Sequence, residues 1–145
     1  MSKLIIYTDG GSRGNPGDAA IGVVIEMENP KSPHGDRVKE YGERIGKATN
    51  NIAEYSALIF ALKKAKQLIG KEKAEKTDIE VRSDSELMVS QLNGKFKLKE
   101  EGLKNPFIEV WNLKQDFKSV RFRHIPREEN KKADALVNRA LDTLL

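Results

Sequence analysis

The sequence predicts an α/β domain built from five strands and four main helices. Two observations predict this class: short apolar segments of strand length occur at five places, and four longer segments carry apolar residues at helical spacing. With 145 residues, 38% of them hydrophobic, the chain is long enough for one core and too short for two ordinary domains. We therefore expect a single domain spanning residues 1–145.

Three strands are predicted in the N-terminal part. Leu4–Thr8 is an apolar run without alternation, which is typical of a strand covered on both faces. The segment Gly10–Asp18 is dense in turn residues, so Leu4–Thr8 and the strand pattern Ala19–Met27 are expected to form a hairpin with a long turn. After a polar loop over Glu28–Asp36, Arg37–Ile45 has a more polar strand pattern and is expected nearer a sheet edge.

The rest of the chain is predicted to be mainly helical. A lysine-rich surface connection is expected over Lys71–Thr77. The remaining predicted elements are the strands Ile79–Ser83 and Val120–Ile125 and the helices Asn51–Ile69, Asp84–Leu92, Asn105–Phe117 and Lys131–Leu144.

Composition narrows the function classes. Lysine and arginine total 26 against 22 aspartate and glutamate, and this modest excess permits an anionic partner such as nucleic acid without demonstrating one. The chain has no cysteine, which excludes disulfides and thiolate zinc sites and suits a reducing compartment. No apolar stretch approaches the roughly 18 residues that a membrane span needs. We therefore expect a soluble cytoplasmic protein with no membrane partner.

Four carboxylates stand at positions where the fold does not need an acid. Asp9 ends the first buried strand, and Glu54 lies inside the apolar arc of the first long helix. Asp84 follows a strand and begins a helix, while Asp134 lies at the margin of the buried face of the last helix. Burying unpaired carboxylates is unfavourable unless their charge is compensated or their pKa values shift.

Each acid also has an ordinary structural interpretation. Asp9 can start a turn, Glu54 can be a first-turn acid that the helix dipole favours, and Asp134 can be a solvated flank residue. Asp84 can cap a helix, since Ser83 and Glu86 have capping-box spacing. Taken together, the four favour one site for a hard cation, because oxygen ligands suit Mg²⁺ or Mn²⁺ and the acids would otherwise repel one another.

The motifs around these acids resemble those of type 1 ribonuclease H, which cuts the RNA strand of RNA/DNA hybrids. The resemblance covers nearly the whole chain. It rests on Tyr7–Gly17, Thr49–Glu54, Ser83–Ser85, and His124 followed by Arg127–Leu136. It implies a five-stranded mixed sheet whose first three strands are antiparallel, with helices on both faces and no separate hybrid-binding domain.

By this resemblance, Asp9, Glu54, Asp84 and Asp134 bind two Mg²⁺ ions, for which Mn²⁺ can substitute. It implies hydrolysis by a two-metal-ion mechanism that leaves 5′-phosphate and 3′-hydroxyl ends. In the family, a histidine at the place of His124 assists proton movement or product release. Taken by itself, His124 is a strand-end histidine. Here Ile125 and Pro126 follow it in place of a glycine-containing segment.

The resemblance also implies substrate contacts. Backbone at Gly10, Gly11 and Ser12 comes near the ribose, where 2′-hydroxyl contacts distinguish RNA from DNA. The family residues that match Thr49 and Asn51 contact the DNA strand, and those that match Asn15 and Asn50 contact the RNA strand. Asn50 and Asn51 can equally be helix caps. Glu86 stands where many relatives have a glutamine that contacts nucleic acid.

A lysine cluster before the third long helix has two interpretations. Lys95, Lys97, Lys99 and Lys104 form either a solvated face or a surface for the hybrid, and we expect modest, salt-sensitive affinity. Double-stranded RNA is left open as a second substrate, and a monomer is expected.

Two other function classes make different predictions. A non-catalytic nucleic-acid module on the same fold would bind hybrids without regard to metal. A nucleotide-binding protein would need a glycine-rich loop that opens directly into a helix, whereas Gly10–Gly17 is followed by a strand pattern.

Overall fold

The computed structural model describes residues 2–27 and 37–143. Its five strands form one sheet in the order β3-β2-β1-β4-β5. The strands are β1 (Ser2–Gly14), β2 (Gly17–Met27), β3 (Arg37–Ala48), β4 (Thr77–Ser83) and β5 (Ser119–His124). The helices are α1 (Asn50–Ile69), α2 (Lys71–Ala74), α3 (Glu86–Leu92), α4 (Lys104–Lys114) and α5 (Lys131–Asp142), with 3₁₀ turns at Glu101–Leu103 and Arg127–Glu129.

The sheet is mixed. Strands β1, β2 and β3 pair antiparallel, whereas β1 pairs parallel with β4, and β4 pairs parallel with β5. The predicted fold class and the topology implied by the resemblance are both confirmed. Strand β3 lies at one edge of the sheet, as its polar sequence predicted.

Helices cover both faces of the sheet, and β2 shows how the sequence achieves this. Ile21, Val23 and Ile25 point into the main core beneath α1, while Ala20 packs with Val137 and Leu141 of α5 on the opposite face. Successive residues of a strand point to opposite faces, so one apolar run serves both layers.

Close packing of α5 on β2 depends on a glycine. A Cβ atom added at Gly22 would lie 2.1 Å from the Ala133 carbonyl oxygen. No side chain fits at that distance, so the missing side chain lets the start of α5 cross the sheet. This contact holds Asp134, the next residue, over β1 and β2.

Several predicted boundaries were wrong. The segment predicted as a long turn is mostly ladder, because Gly10 to Gly14 of β1 pair with residues 17–21 of β2 and only Asn15 and Pro16 connect them. Composition suggested a turn, but pairing with a neighbouring strand prevails over the local preference of these residues. Helix α3 begins at Glu86 rather than Asp84.

Smaller differences occur at other ends. Strand β5 ends at His124, not Ile125, and α4 ends at Lys114, not Phe117. The predicted connection from Lys71 contains the short helix α2, and Thr77 already belongs to β4. The predicted loop over Glu28–Asp36 lies outside the described residues. Helix α5 ends at Asp142 and Thr143 is extended, so the predicted helix end at Leu144 is wrong. Of the helices described, none combines the length and apolar character needed to cross a membrane.

Candidate active site

The end of the parallel β1–β4 ladder brings two of the acids together. Thr8 of β1 is paired with Ser83 of β4, and this is the last pair of their ladder. Asp9 and Asp84 are the residues that follow this pair along the chain, so they lie side by side where the β1–β4 ladder ends. Asp9 is 7% exposed. Regular parallel pairing thus converts two positions 75 residues apart in sequence into neighbours.

Glu54 reaches the same end of the β1–β4 ladder from α1. The helix begins after Thr49, whose Oγ1 accepts a hydrogen bond from the Ile52 amide at 3.2 Å. A Cβ atom at Gly10 would lie 2.2 Å from the backbone of Ala53, so only glycine lets the helix approach the strand this closely. The Gly10 amide donates to Glu54 Oε1 at 2.7 Å. The strand backbone thereby orients a glutamate that is 5% exposed.

Asp134 completes the group from the first turn of α5. Its carboxyl group lies close enough to that of Asp9 to raise the pKa of Asp9. Asn138, one turn further along the helix, donates to Asp134 Oδ2 at 3.4 Å. On the other side, ligand oxygens of Asp9, Glu54 and Asp84 all lie within 4.8 Å of one another. The structure therefore brings all four predicted acids together, and we call them the carboxylate cluster.

The cluster lacks enough positive charge to stabilise its ionised form. Burial, followed by the charges of Asp84 and Asp134, raises the pKa of Asp9 to about 8. Burial also raises the pKa of Glu54 well above its ordinary value, with Asp9 and Asp84 adding to the effect and the Gly10 hydrogen bond opposing it. The pKa of Asp84 is raised by burial, against the opposing charge of Arg127. A bound cation would reverse these shifts.

An open cleft of about 400 Å³ contains all four acids. Gly10, Gly11, Ser12 and Asn50 also line it, as does Arg127. The donor set consists of carboxylate oxygens, which are the ligands that Mg²⁺ and Mn²⁺ prefer. Convergence from β1, α1, the β4–α3 junction and α5 is thus chemically suited to binding divalent cations.

Known proteins resemble this chain over nearly its whole length. A family model described as reverse transcriptase-like matches residues 7–140. A ribonuclease H of Clostridium botulinum is 30% identical over 161 aligned positions, covering 98% of this chain and 97% of that protein. The chain belongs to the type 1 ribonuclease H family. Ribonuclease HI of Halobacterium salinarum is 43% identical over 140 residues, or 97% of this chain.

Solved ribonuclease H structures agree closely with this fold. LC11-RNase H1, which was isolated from compost by a metagenomic approach, was crystallised with an RNA/DNA hybrid. It superposes with a TM-score of 0.84 at 46% identity over 96% of each chain. RNase H1 of Halobacterium salinarum gives 0.82 at 39% identity, over 97% of this chain and 98% of that one.

The curated relatives can be longer than this chain. The chain spans 65% of the length of the Halobacterium salinarum ribonuclease HI and 36% of a 38% identical bifunctional protein of Mycobacterium tuberculosis.

Five residues of the predicted site do not line the cleft in the described part of the chain. Asn15 and Thr49 instead organise its rim: Asn15 Oδ1 accepts from the Asn50 amide at 3.1 Å, and Thr49 caps α1. Asn51 lies in the first turn of α1, and Glu86 is the exposed first residue of α3. His124 is exposed at the end of β5.

Two helix caps differ from the sequence interpretation. Thr49, not Asn50 or Asn51, caps α1. Ser85 caps α3 by accepting from the Met88 amide at 3.3 Å, so the capping interpretation of Asp84 is wrong. Ser83 Oγ accepts from the Ser85 amide at 3.1 Å rather than forming a capping box with Glu86. These caps leave the Asp84 carboxylate available to the cluster.

Arg127 is the functional candidate that sequence reasoning missed. It lies on the 3₁₀ turn before α5, lines the cleft, and lowers the pKa values of Asp9 and Asp84. The motif that contains it was recognised, but a charged residue next to acidic and basic neighbours carries no periodic signal. Only the path of the turn places this exposed side chain beside the acids.

Proposed function

We propose that this protein is an endoribonuclease that hydrolyses the RNA strand of RNA/DNA hybrids, giving 5′-phosphate and 3′-hydroxyl ends. The observation that carries the proposal is the convergence of four acids in an open cleft at the end of the β1–β4 ladder. The close structural likeness to LC11-RNase H1, crystallised with a hybrid, supports the choice of substrate.

We propose that Asp9, Glu54, Asp84 and Asp134 hold two Mg²⁺ ions, with Mn²⁺ as a substitute. The fit rests on the donor chemistry, since the cluster offers only carboxylate oxygens, and on the raised pKa values of three members. When bound, divalent cations would polarise the phosphodiester and neutralise charge that develops in its hydrolysis. The Gly10 amide keeps Glu54 aimed at the same point.

Substrate contacts divide into two groups. Gly11, Ser12 and Asn50 line the cleft and are proposed to contact the RNA strand directly. Gly10 contributes through its engaged amide and close helix contact, and Asn15 contributes by holding the Asn50 backbone. Thr49, Asn51 and Glu86 are proposed to contact nucleic acid beyond the cleft. His124 is proposed to assist proton movement or product release from its exposed position at the end of β5.

Binding of the hybrid is proposed to include an electrostatic part. Lys95, Lys97 and Lys99 are exposed between α3 and α4, and Lys104 begins α4. Phosphate contacts from such lysines release counterions, so affinity should fall as salt rises. Hybrid affinity that stays constant between low and physiological salt would contradict this part.

One assay tests the activity. End-labelled RNA/DNA hybrid, RNA/RNA and DNA/DNA duplexes are incubated with Mg²⁺, Mn²⁺ or chelator, using the wild type and Asp9→Asn. We expect cleavage of the hybrid RNA only with metal, 5′-phosphate products, and no cleavage by Asp9→Asn. Hybrid binding that is unaffected by metal or by this substitution, without cleavage, would instead indicate a non-catalytic module. The RNA/RNA arm decides whether double-stranded RNA is a second substrate.

We further propose that residues 1–145 act as one catalytic domain, as a monomer, in the cytoplasm. The single sheet with its two helical layers supports the first point. The absence of cysteine from the sequence supports the last.

A further inference from the structure

Asn130 occupies a helix start without serving as a cap. It immediately precedes α5 and is 1% exposed. An asparagine at this position usually accepts a hydrogen bond from the first helical turn. The Asn130 side chain makes no such bond. It turns into the sheet, where its Nδ2 donates to the Thr8 carbonyl at 2.9 Å. Capping therefore does not account for this residue.

The same residue contacts the segments that carry two other acids. Its side chain lies close enough to the Asp84 carboxylate that it tends to lower the pKa of that group. Its backbone carbonyl accepts from the Asp134 amide at 3.1 Å. Because the Thr8 carbonyl can only accept a hydrogen bond, the NH₂ end of the Asn130 amide faces it. Asn130 thus contacts the residue before Asp9, Asp84 itself and the backbone of Asp134.

Fold stability alone does not explain an amide here. Among the described residues, Asn130 Oδ1 and Thr8 Oγ1 are the buried side-chain polar atoms without a hydrogen-bond partner. An unpaired buried polar atom is unfavourable, and both atoms lie at the junction beside the carboxylate cluster. The favourable contribution of Asn130 therefore lies in the contacts of its NH₂ group.

Asn130 also acts against a physical tendency of the cluster. Like charges on β1, at the β4–α3 junction and on α5 repel one another when no cation is bound. A neutral amide that belongs to the start of α5, donates to β1 and lies beside Asp84 opposes separation of these segments. It does so without adding a positive charge that would compete with a cation.

We propose that Asn130 is a positioning residue of the carboxylate cluster, whose amide fixes the spacing of the segments bearing Asp9, Asp84 and Asp134 and thereby sets the affinity for divalent cations. The inference rests on the proposed function, since it assigns Asn130 to the same metal site. Groups that orient metal ligands commonly change metal affinity or activity by about 10- to 100-fold when removed.

Two substitutions test the proposal. Asn130→Ala removes the amide and its volume, whereas Asn130→Leu removes the amide and keeps the branched shape with the same number of side-chain heavy atoms, so the result does not depend on the alanine variant folding. Calorimetric titration of the nucleic-acid-free proteins with Mg²⁺ and with Mn²⁺ should show affinity weakened by about 10- to 100-fold in both variants. The kcat for hybrid cleavage should fall similarly while KM for the hybrid is unchanged.

Asn93→Ala provides a matched control. Asn93 follows α3 and its Nδ2 donates to the Phe122 carbonyl at 3.1 Å, the same kind of bond to a strand carbonyl, but it does not line the cleft. Circular dichroism and thermal melting establish that each variant is folded at the titration temperature. Asn93→Ala should keep wild-type metal affinity and kcat, which separates positioning from general destabilisation.

The outcomes distinguish this inference from the proposed function. Wild-type metal affinity in both Asn130 variants, or loss in the alanine variant alone, would overturn the inference and leave the proposed function standing. Weakened metal binding in both variants, with a wild type that cuts no hybrid, would support the inference and overturn the proposed activity. A wild type that binds no divalent cation would overturn both.

Discussion

Glu80 and Asp84 lie four residues apart on one run of chain, yet their surroundings are opposite in charge. Glu80 Oε2 lies 2.6 Å from Arg82 Nε, and Lys3 Nζ approaches Oε1 at 3.9 Å. Arg82 also donates to the Tyr7 hydroxyl at 2.7 Å. We call Glu80, Arg82, Lys3, Tyr7 and Arg123 the Glu80 network. Asp84 instead faces acids that converge from other elements.

The pKa values of the two acids show what this difference means. Burial tends to raise the pKa of Glu80, but the hydrogen bond and charge of Arg82, with Lys3 and Arg123, lower it overall. The pKa of Asp84 is raised, by burial first, although Arg127 opposes the shift. The Glu80 network supplies enough positive charge from within the chain to stabilise its carboxylate. The carboxylate cluster lacks such charge and needs a bound cation. This difference in charge compensation distinguishes a candidate functional site from a surface ion-pair network.

The largest expected effect comes from removing the charge of Asp84, with removal of the Glu80 charge as the comparison. Asp84→Asn should reduce hybrid cleavage with Mg²⁺ by about 10³-fold, the rate equivalent of several kcal/mol. In chelator near pH 7 it should raise the melting temperature, because it relieves repulsion within the cluster. Glu80→Gln, the matched control, should leave cleavage unchanged and slightly lower the melting temperature.

Cleavage rates and thermal melts with Mg²⁺ and with chelator check both halves of this prediction. An unchanged or lower melting temperature for Asp84→Asn in chelator would contradict like-charge repulsion at the cluster.

The pH dependence of stability should also differ between the regions, by several kcal/mol over the full range. The folded-state pKa of Asp9 is raised from 3.8 to about 8, so the folded protein binds more protons than the unfolded chain between these values. In chelator, the free energy of unfolding should therefore fall as pH rises from about 4 to about 8. Glu80 has a lowered pKa, so its contribution is present at higher pH and is lost on acidification.

Urea unfolding at a series of pH values in chelator measures this slope. Asp9→Asn should flatten the fall towards pH 8, whereas Glu80→Gln should leave it unchanged. A slope that is the same in wild type and Asp9→Asn would show that the buried acids do not set the stability of the metal-free protein.

The sequence predicts the cluster by combining four weak departures from pattern with the family motifs around them. Glu54 falls within an apolar helical arc, and Asp9 and Asp84 follow apolar strands of the same length class. Parallel pairing then brings the strand ends together without further information. The Glu80 network was not predictable in this way, because alternating charges on a strand face are compatible with many registers.

Backbone requirements were harder to predict. The sequence predicts the glycines of β1 to be turn residues, but Gly10 is needed where α1 contacts the strand and donates to Glu54. Glycine looks the same in sequence whether it serves a turn or a close approach. Similarly, Thr49 and Ser85 rather than their neighbours became caps, since several adjacent residues had suitable side chains. Local chemistry identifies the candidates, and tertiary packing selects among them.

Arg127 offers a smaller test, because it is the cation that partly balances the cluster. Arg127→Gln should lower the free energy of unfolding by about 1 kcal/mol in chelator, the upper range for an exposed ion pair. With saturating Mg²⁺ the loss should vanish, since a guanidinium next to bound cations is no longer attracted to the site. Thermal melts with chelator and with Mg²⁺ measure the difference, and an equal loss under both conditions would assign Arg127 a purely structural role.

The smallest expected effect is in the Glu80 network itself. Arg82→Met removes the bonds to Glu80 and Tyr7 and the contact of the guanidinium with the Tyr7 ring, whose centre lies 5.4 Å away. The side chains of Arg82 and Glu80 are 23% and 21% exposed, so water screens part of their attraction. We expect a loss of less than about 1 kcal/mol in the free energy of unfolding.

A double-mutant cycle of Arg82→Met and Glu80→Gln, followed by urea unfolding, isolates the coupling between the two side chains. Hybrid cleavage by Arg82→Met should equal that of the wild type, because Asp84 is held by the Thr8–Ser83 pairing and by Asn130 rather than by Arg82. A tenfold loss of kcat would mean that the ion-pair network positions Asp84 through β4. The two regions would then form one functional unit, and their contrast in charge would reflect a division of labour along a single strand.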